Sequence, residues 1–314
     1  MFEAIIEKIS EYDKIIIHRH KNPDGDALGS QIGLKELIKT AYPEKTVLAV
    51  GDSSRRFAFM EGSESDKVSD EDYKDALAIV LDTSSAALIS DERYTGAKAT
   101  ARIDHHIFVE KICDTEVTDT RYESCCGLIT ELAIEAGWHL TPLAAKSLFC
   151  GMVTDSGRFR YDSVSADTFR LASYLMTADF DTGEIYKNLY SDELEFVQLR
   201  AKFALKIQKA SAGVAYIYTD LAEAQSFGFD SFTLSRGMVN TMSDIKGIDI
   251  WVIFTETEGG VLCEIRSSKY NINPIATKHG GGGHAKASGA TLRDRAEAEE
   301  MIKELVGLAQ ESGF

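Results

Sequence analysis

Short apolar runs rich in β-branched residues recur through the first hundred positions, separated by stretches with helical spacing. Lys14 to Ile17 reads as a strand and Ala27 to Lys39 as a helix. Val47 to Val50, Ala76 to Leu81 and Ala99 to Ile103 read as three further strands. These runs do not alternate apolar with polar positions. A strand apolar on both sides has to be covered on both sides, so the pattern predicts a largely parallel sheet flanked by helices. From Ser124 to about Lys187 the spacing turns helical. The run YSDELEFVQLRAKFALKIQKA, residues 190–210, holds neither Gly nor Pro and reads as one helix. After it, Val214 to Thr219, Asp249 to Thr255 and Val261 to Ser267 read as strands, and Leu234 to Ile245 and Arg295 to Leu308 as helices. The expected architecture is α/β with two domains. Residues 1–189 form the larger, 190–210 a helical connector, and 211–314 a smaller α/β domain.

Composition narrows the class. The chain has 314 residues, 44% hydrophobic and 27% charged, which fits soluble globular domains with proper cores. No apolar run approaches the roughly 20 residues of a membrane helix, so no membrane association is expected. The opening MFEAIIEKIS is acidic where a secretion signal is basic, and the expected location is cytoplasmic. Five cysteines (Cys113, Cys125, Cys126, Cys150 and Cys263) form no CxxC pair and read as reduced packing residues. The net charge of −16 would repel a long polyanion, so a phosphate has to be held locally by metals and a few basic side chains. Short oligonucleotides or nucleotide phosphates fit that field; long duplex nucleic acid does not. Both a monomer and a homodimer remain open.

Six of the seven histidines fall in three short segments beside acids or glycines. The first segment, His18-Arg-His20-Lys-Asn-Pro23-Asp24-Gly25-Asp26, lies between a strand and a helix, at the end of a strand where open α/β sheets bind ligands. Imidazoles with two carboxylates on a tight turn suit a divalent first-row metal. Taken alone, Asp24-Gly25 also reads as a turn whose aspartate caps the next helix. If the strand continued, His18 and His20 would share a face. Asp82 and the triplet Asp104-His105-His106 each directly follow a strand as well. Asp155, in Thr154-Asp155-Ser156-Gly157, ends a predicted helix and is followed by Arg158 and Arg160. Carboxylates and imidazoles gathered at several strand ends suit a dinuclear centre that stabilises both the attacking and the leaving oxygen.

These segments resemble, in order and spacing, the four motifs of the DHH phosphoesterase family: H-x-x-P-D-x-D, a strand-end Asp, Asp-His-His and T-D-S-G. The later Gly280-Gly-Gly-Gly283-His284 is similar to the glycine-rich signature of the DHH-associated substrate domain. Size and layout are similar to the bifunctional oligoribonuclease and pAp-phosphatase branch. The resemblance implies two manganese ions, with magnesium or cobalt as substitutes. It assigns His20, Asp24 and Asp82 to one metal, and Asp26, Asp82, His105 and Asp155 to the other. It implies that His106 contacts the substrate phosphate and that Asp104 orients its neighbours; His18 is expected to support the site from behind. By the same resemblance the active site lies in the cleft between the domains.

The glycine run has its own physical case. Four glycines let a phosphate or base approach the main chain, and successive N–H groups can form an anion-binding nest. With Lys278, His279, His284 and Lys286 around it, the run reads as a polyanion pocket. Gly281, Gly282, Gly283 and His284 are the expected substrate contacts, and Arg266 joins them by resemblance. The implied reaction releases 5′-mononucleotides from short oligoribonucleotides, or removes the 3′-phosphate of 3′-phosphoadenosine 5′-phosphate. Three rivals stand beside it: a cyclic- or linear-dinucleotide phosphodiesterase, a manganese pyrophosphatase (against which GGGGH argues) and an inactive nucleotide-binding module.

Overall fold

The structure, a computed structural model, describes residues 1–211 and 213–311. The chain divides into two units, Met1–Ser191 and a second starting at Asp192, each with its own core.

In the first unit, helix α1 (Glu3–Glu11) leads into strand β1 (Lys14–His18), helix α2 (Gly25–Ala41) and strand β2 (Thr46–Ala49). Strands β3 (Leu77–Leu81), β4 (Ala99–Asp104) and β5 (Thr115–Thr118) follow, then helices α3 (Cys125–Ala136), α4 (Pro142–Asp155), α5 (Ala166–Leu175) and α6 (Thr182–Tyr190). The five strands pair in parallel in the order β2-β1-β3-β4-β5. All of β3 is buried, as a continuous apolar strand in a covered sheet has to be. Ile15, Ile17, Leu77, Ile79 and Leu81 join one large core with α2, α3 and α4, while Ile16 joins Tyr73 and Ala76 in another cluster. The parallel sheet flanked by helices is the one the apolar pattern predicts.

The second unit contains α7 (Leu194–Leu205), β6 (Gln208–Lys209), β7 (Val214–Thr219), α8 (Leu221–Ser226), β8 (Ile250–Thr257) and β9 (Gly260–Ser267). It continues through α9 (Asn273–Lys278), β10 (Gly282–His284), β11 (Ala287–Leu292) and α10 (Arg295–Glu311). Its sheet runs β10-β11-β9-β8-β7-β6 and is antiparallel except for β7 with β8.

Two helical expectations are corrected. The run 190–210 is not one helix: α6 ends at Tyr190, α7 covers Leu194–Leu205, and Gln208 and Lys209 pair with β7 as an edge strand. Leu199 and Phe203 of α7 pack with Ala215, Ile217 and Ile253, which makes α7 part of the second unit's core. The segment Leu234 to Ile245 is a π-helical turn over Thr233–Gly237 followed by a 3₁₀ turn over Val239–Met242. All five cysteines are free and buried. Among the described residues no helix is long and apolar enough to cross a membrane.

Candidate metal centre and active site

β1 lies between β2 and β3, so the chain leaves β1 to one side through α2, while β3 and β4 continue the sheet on the other. Loops at the carboxyl ends of parallel strands diverge at such a switch point and leave a crevice. His20 follows β1, Asp82 follows β3, and Asp104, His105 and His106 close β4. Three neighbouring strands thus deliver their chemistry to one place.

Two helix starts add to it. Asp24 caps α2, its Oδ1 accepting from the amides of Asp26 and Ala27, both at 3.0 Å. The cap expected of an Asp-Gly turn is therefore present, and the same oxygen lies 3.8 Å from His20 Nε2. Asp26, in the first turn of α2, is buried, and its two oxygens accept from the first amides of α3, Cys125 at 2.7 Å and Cys126 at 2.8 Å. Helix N-termini favour negative charge, which offsets part of the cost of burying that carboxylate.

Asp155 comes from the last turn of α4, and glycines bring α4 close. Gly25, Gly29 and Gly33 recur every four residues along one side of α2. A Cβ at Gly29 would lie 2.5 Å from the Ser147 carbonyl oxygen, and one at Gly25 2.5 Å from Thr154 Oγ1. Only glycine permits this approach, and it sets the start of α2 beside the end of α4. The spacing was present in the sequence, but its meaning depends on the partner helix.

The donor atoms converge. Asp82 Oδ2 lies 3.4 Å from His20 Nε2, while its Oδ1 lies 3.4 Å from His105 Nε2. His105 Nε2 is also 3.4 Å from Asp155 Oδ2 and 3.7 Å from Asp26 Oδ2. Donor atoms about 2.1 Å from a shared cation sit about 3.0–3.4 Å apart at octahedral or tetrahedral angles. The groups His20–Asp24–Asp82 and Asp26–His105–Asp155 therefore fit cations better than they fit mutual hydrogen bonds. Asp82 Oδ1, buried and without a hydrogen-bond partner, points the same way. Asp82 itself has φ of +50°. Of the described non-glycine residues only Asn22, Arg158 and Phe159 share that left-handed region, and all four lie within or beside the clustered segments.

Crowded acids and imidazoles shift one another. Burial, with Asp82 and Asp155 nearby, holds the Asp26 carboxyl well above its usual range. Burial also pushes Asp155 up to about 7. Burial alone would depress His20 and His105, yet their carboxylate partners win and raise them to about 11 and about 10. Asp82 goes the other way: burial opposes its charge, but His105 and His20 hold it below the usual carboxylate range.

His106 is held differently. Its Nδ1 lies 2.8 Å from Asp104 Oδ1, and this hydrogen bond raises the His106 pKa against the effect of burial. Asp104 is fully buried and contacts His106 rather than His105. The imidazole is half exposed, with Nε2 left to meet a ligand.

The expectations for His18 are corrected. β1 ends at His18, so His18 and His20 do not share a strand face. The buried His18 ring packs against Tyr73 and Tyr94, at 5.7 and 6.0 Å between centroids, with Asp91 and Arg93 as its charged neighbours instead of the clustered carboxylates. Burial pushes it down to about 4, so it stays neutral. The Arg158 guanidinium stacks on Tyr190 at 4.1 Å.

In the second unit Gly281 and Gly283 are packed so tightly against β11 that a Cβ at either would overlap its backbone, and His284 is exposed on β10. The ring of basic groups expected around them is largely engaged elsewhere. Lys278 pairs with Glu304 at 2.8 Å, and His279 is buried against Glu297 at 3.0 Å. Lys286 donates to the Ser268 carbonyl, and Arg266 pairs with Glu264 at 2.9 Å.

Residues 14–152 match the DHH family, N-terminal domain, and residues 221–311 match the DHHA1 domain. The chain belongs to the DHH phosphoesterase family. It is 36% identical over 308 residues to the probable bifunctional oligoribonuclease and PAP phosphatase NrnA of Streptococcus mutans, covering 98% of each chain. It is 35% identical over 314 residues to the bifunctional oligoribonuclease and PAP phosphatase NrnA of Bacillus subtilis, covering 99% of each. The crystal structure of an exopolyphosphatase-related protein from Bacteroides fragilis superposes with a TM-score of 0.84 at 23% identity, over 98% of this chain and 97% of that one. At that identity the likeness shows the fold.

Proposed function

We propose that this chain hydrolyses short oligoribonucleotides to 5′-mononucleotides and removes the 3′-phosphate of 3′-phosphoadenosine 5′-phosphate, with two divalent cations, manganese by preference. The observation that carries the proposal is Asp82, whose two oxygens face two different imidazole-carboxylate groups at 3.4 Å each. A shared carboxylate between two such groups suits a pair of cations. The activities named for the S. mutans and B. subtilis relatives, matched over almost their full length, support the substrate class. Imidazole in both groups favours a first-row transition ion over magnesium.

His20, Asp24 and Asp82 would hold one cation, and Asp26, Asp82, His105 and Asp155 the other. Bound there, the cations supply Lewis acidity that lowers the pKa of water and offsets phosphate charge. Asp104 keeps the proton on His106 Nδ1, and His106 offers Nε2–H to a phosphate oxygen as charge builds there. Gly281, Gly282, Gly283, His284 and Arg266 hold the substrate; the first unit does the chemistry and the second grips. The net charge of −16 keeps the reading with small phosphates instead of long duplexes. Five free, buried thiols suit a reducing, cytoplasmic setting.

The test uses purified full-length protein with manganese and a panel: a dinucleotide, a pentanucleotide, 3′-phosphoadenosine 5′-phosphate, a cyclic dinucleotide and pyrophosphate. Turnover of the first three, abolished by chelator and by Asp82→Ala, is expected. Turnover confined to the cyclic dinucleotide or to pyrophosphate would overturn the proposal, as would full activity of Asp82→Ala.

A further inference from the structure

One cavity of the second unit lies beside the glycine run and takes in Gly281, and no particular part of the substrate has been assigned to it. It measures about 400 Å³ and is lined by Ser231, Phe232, Ser235, Glu264, Gly281 and Gly289, among others. Its origin is legible in the strand register. Ile253, Glu264, Gly289 and Gly282 stand side by side across β8, β9, β11 and β10. At the Ile253 end the sheet face is covered, because Leu234, Met238, Val239 and Met242 pack there. At the Gly289 and Gly282 end there are no side chains to rise from the sheet, and the start of the covering segment, Ser231 and Phe232, stands at the edge. A trough with a bare backbone floor remains.

The walls of that trough are chemically uneven. Phe232 lines one side and is 62% exposed, with the Arg236 guanidinium 5.7 Å from its ring centroid and no aromatic ring stacked on it. Ser231 and Ser235 add hydroxyls. On the floor side, Glu264 Oε2 accepts from Arg266 Nη1 at 2.9 Å, which fixes the carboxylate and leaves Oε1 to accept from something else. A flat slot with an aromatic wall, a peptide floor and one oriented carboxylate selects a planar ring that carries N–H donors.

We infer that this trough is the subsite for a nucleobase of the substrate, with Phe232 stacking on the ring and Glu264 accepting from its amino or imino N–H. The inference rests on the proposed function and adds a base preference to it. Adenine, cytosine and guanine each present an exocyclic amino group to a carboxylate. Uracil presents a single N–H between two carbonyl oxygens, and those oxygens repel Glu264. The subsite therefore favours amino-bearing bases over uracil.

Two variants read this separately from catalysis. Phe232→Ala removes a stack and raises KM for the dinucleotide ApA by about tenfold with kcat little changed, while Phe232→Tyr restores it. Glu264→Gln replaces half the acceptor with a donor. It lowers the ratio of kcat/KM for ApA over UpU by about tenfold, because the amide N–H now meets a uracil oxygen. Any general loss through Arg266 affects both substrates and cancels in the ratio. An unchanged ApA:UpU ratio in Glu264→Gln, together with a KM for ApA within about twofold of wild type in Phe232→Ala, would overturn the inference. Should wild type cleave no dinucleotide, the proposed function fails instead. Equilibrium binding of AMP against UMP to the same proteins then still reads the trough: a wild-type preference for AMP that Glu264→Gln erases supports it, and equal binding overturns it.

Discussion

Asp104 is fully buried, its Oδ1 accepts from His106 and its Oδ2 has no hydrogen-bond partner. Its effect is electrostatic, so it belongs in a pH profile. A His106 that meets phosphate as the imidazolium works below its pKa and fails above it. The pair raises that pKa, hence Asp104→Asn moves the alkaline fall of kcat/KM to lower pH, since that fall reports the free enzyme. An alkaline limb that stays in place would remove Asp104 from this role. The donor groups make a second prediction. In the metal-free chain His20 and His105 hold their protons up to about 11 and about 10, and a cation needs both imidazoles unprotonated. Binding of manganese therefore expels protons, and its apparent affinity climbs with pH through neutrality towards about 10. Calorimetric titration in two buffers of different ionisation enthalpy checks this; equal heats in both would contradict it.

At the scale of elements, α2 and α4 act as one piece because glycine lets them touch. Gly29→Ala sets a methyl 2.5 Å from the Ser147 carbonyl, and neither backbone can give way without separating the helices. The cost is about 1–3 kcal/mol of stability, typical of an overpacked core. The same separation parts Asp26 from Asp155, so manganese affinity falls along with the unfolding midpoint. A variant equally destabilised in α5, by contrast, keeps its affinity, and an unaltered affinity in Gly29→Ala would refute the coupling. The regular elements were legible in the sequence because apolar runs such as LAIVL in β3 have one use in a covered sheet. The donors were legible for a related reason, since each lies directly after such a strand or at a helix end. Other features were not. Leu234, Met238, Val239 and Met242 are all buried, as helical spacing demands, but the backbone between them winds first too wide and then too tight around Gly237. Residues 190–210 carry no Gly or Pro, and the break at Gln208 comes from pairing with β7, a long-range event. The partners of Lys278 and His279 are acids of α10, which local sequence does not point to.

For the whole molecule, separate cores set what can be removed. Cutting at 210 would strand Leu199 and Phe203 without their partners, whereas ending the chain after Ser191 leaves the first unit's core intact. That shortened protein should unfold cooperatively and bind manganese as the full chain does. Its turnover of a dinucleotide should fall by several orders of magnitude, because orienting a substrate can account for about 7–11 kcal/mol of a barrier. Full-length rates from the folded fragment would show that the second unit holds no substrate. The acidic balance acts at this scale too: 50 acidic against 34 basic residues leave few cations to spare for a polymer, and the substrate's charge has to be met inside the centre.

The opening amides of α3 donate to both oxygens of Asp26, so a helix end is wired to the charge of the centre. Without a cation, that carboxyl keeps a proton over a wider pH range than a free aspartate and is a weaker acceptor. When an ion takes the proton's place, the acceptor strengthens, and the amide protons of Cys125 and Cys126 should shift downfield and exchange more slowly with deuterium. In a nitrogen-labelled sample these two resonances become a gauge of occupancy that needs neither substrate nor turnover. The gauge also reads inhibitors, because a compound that strips the centre and one that merely blocks it would leave the two peaks in different places.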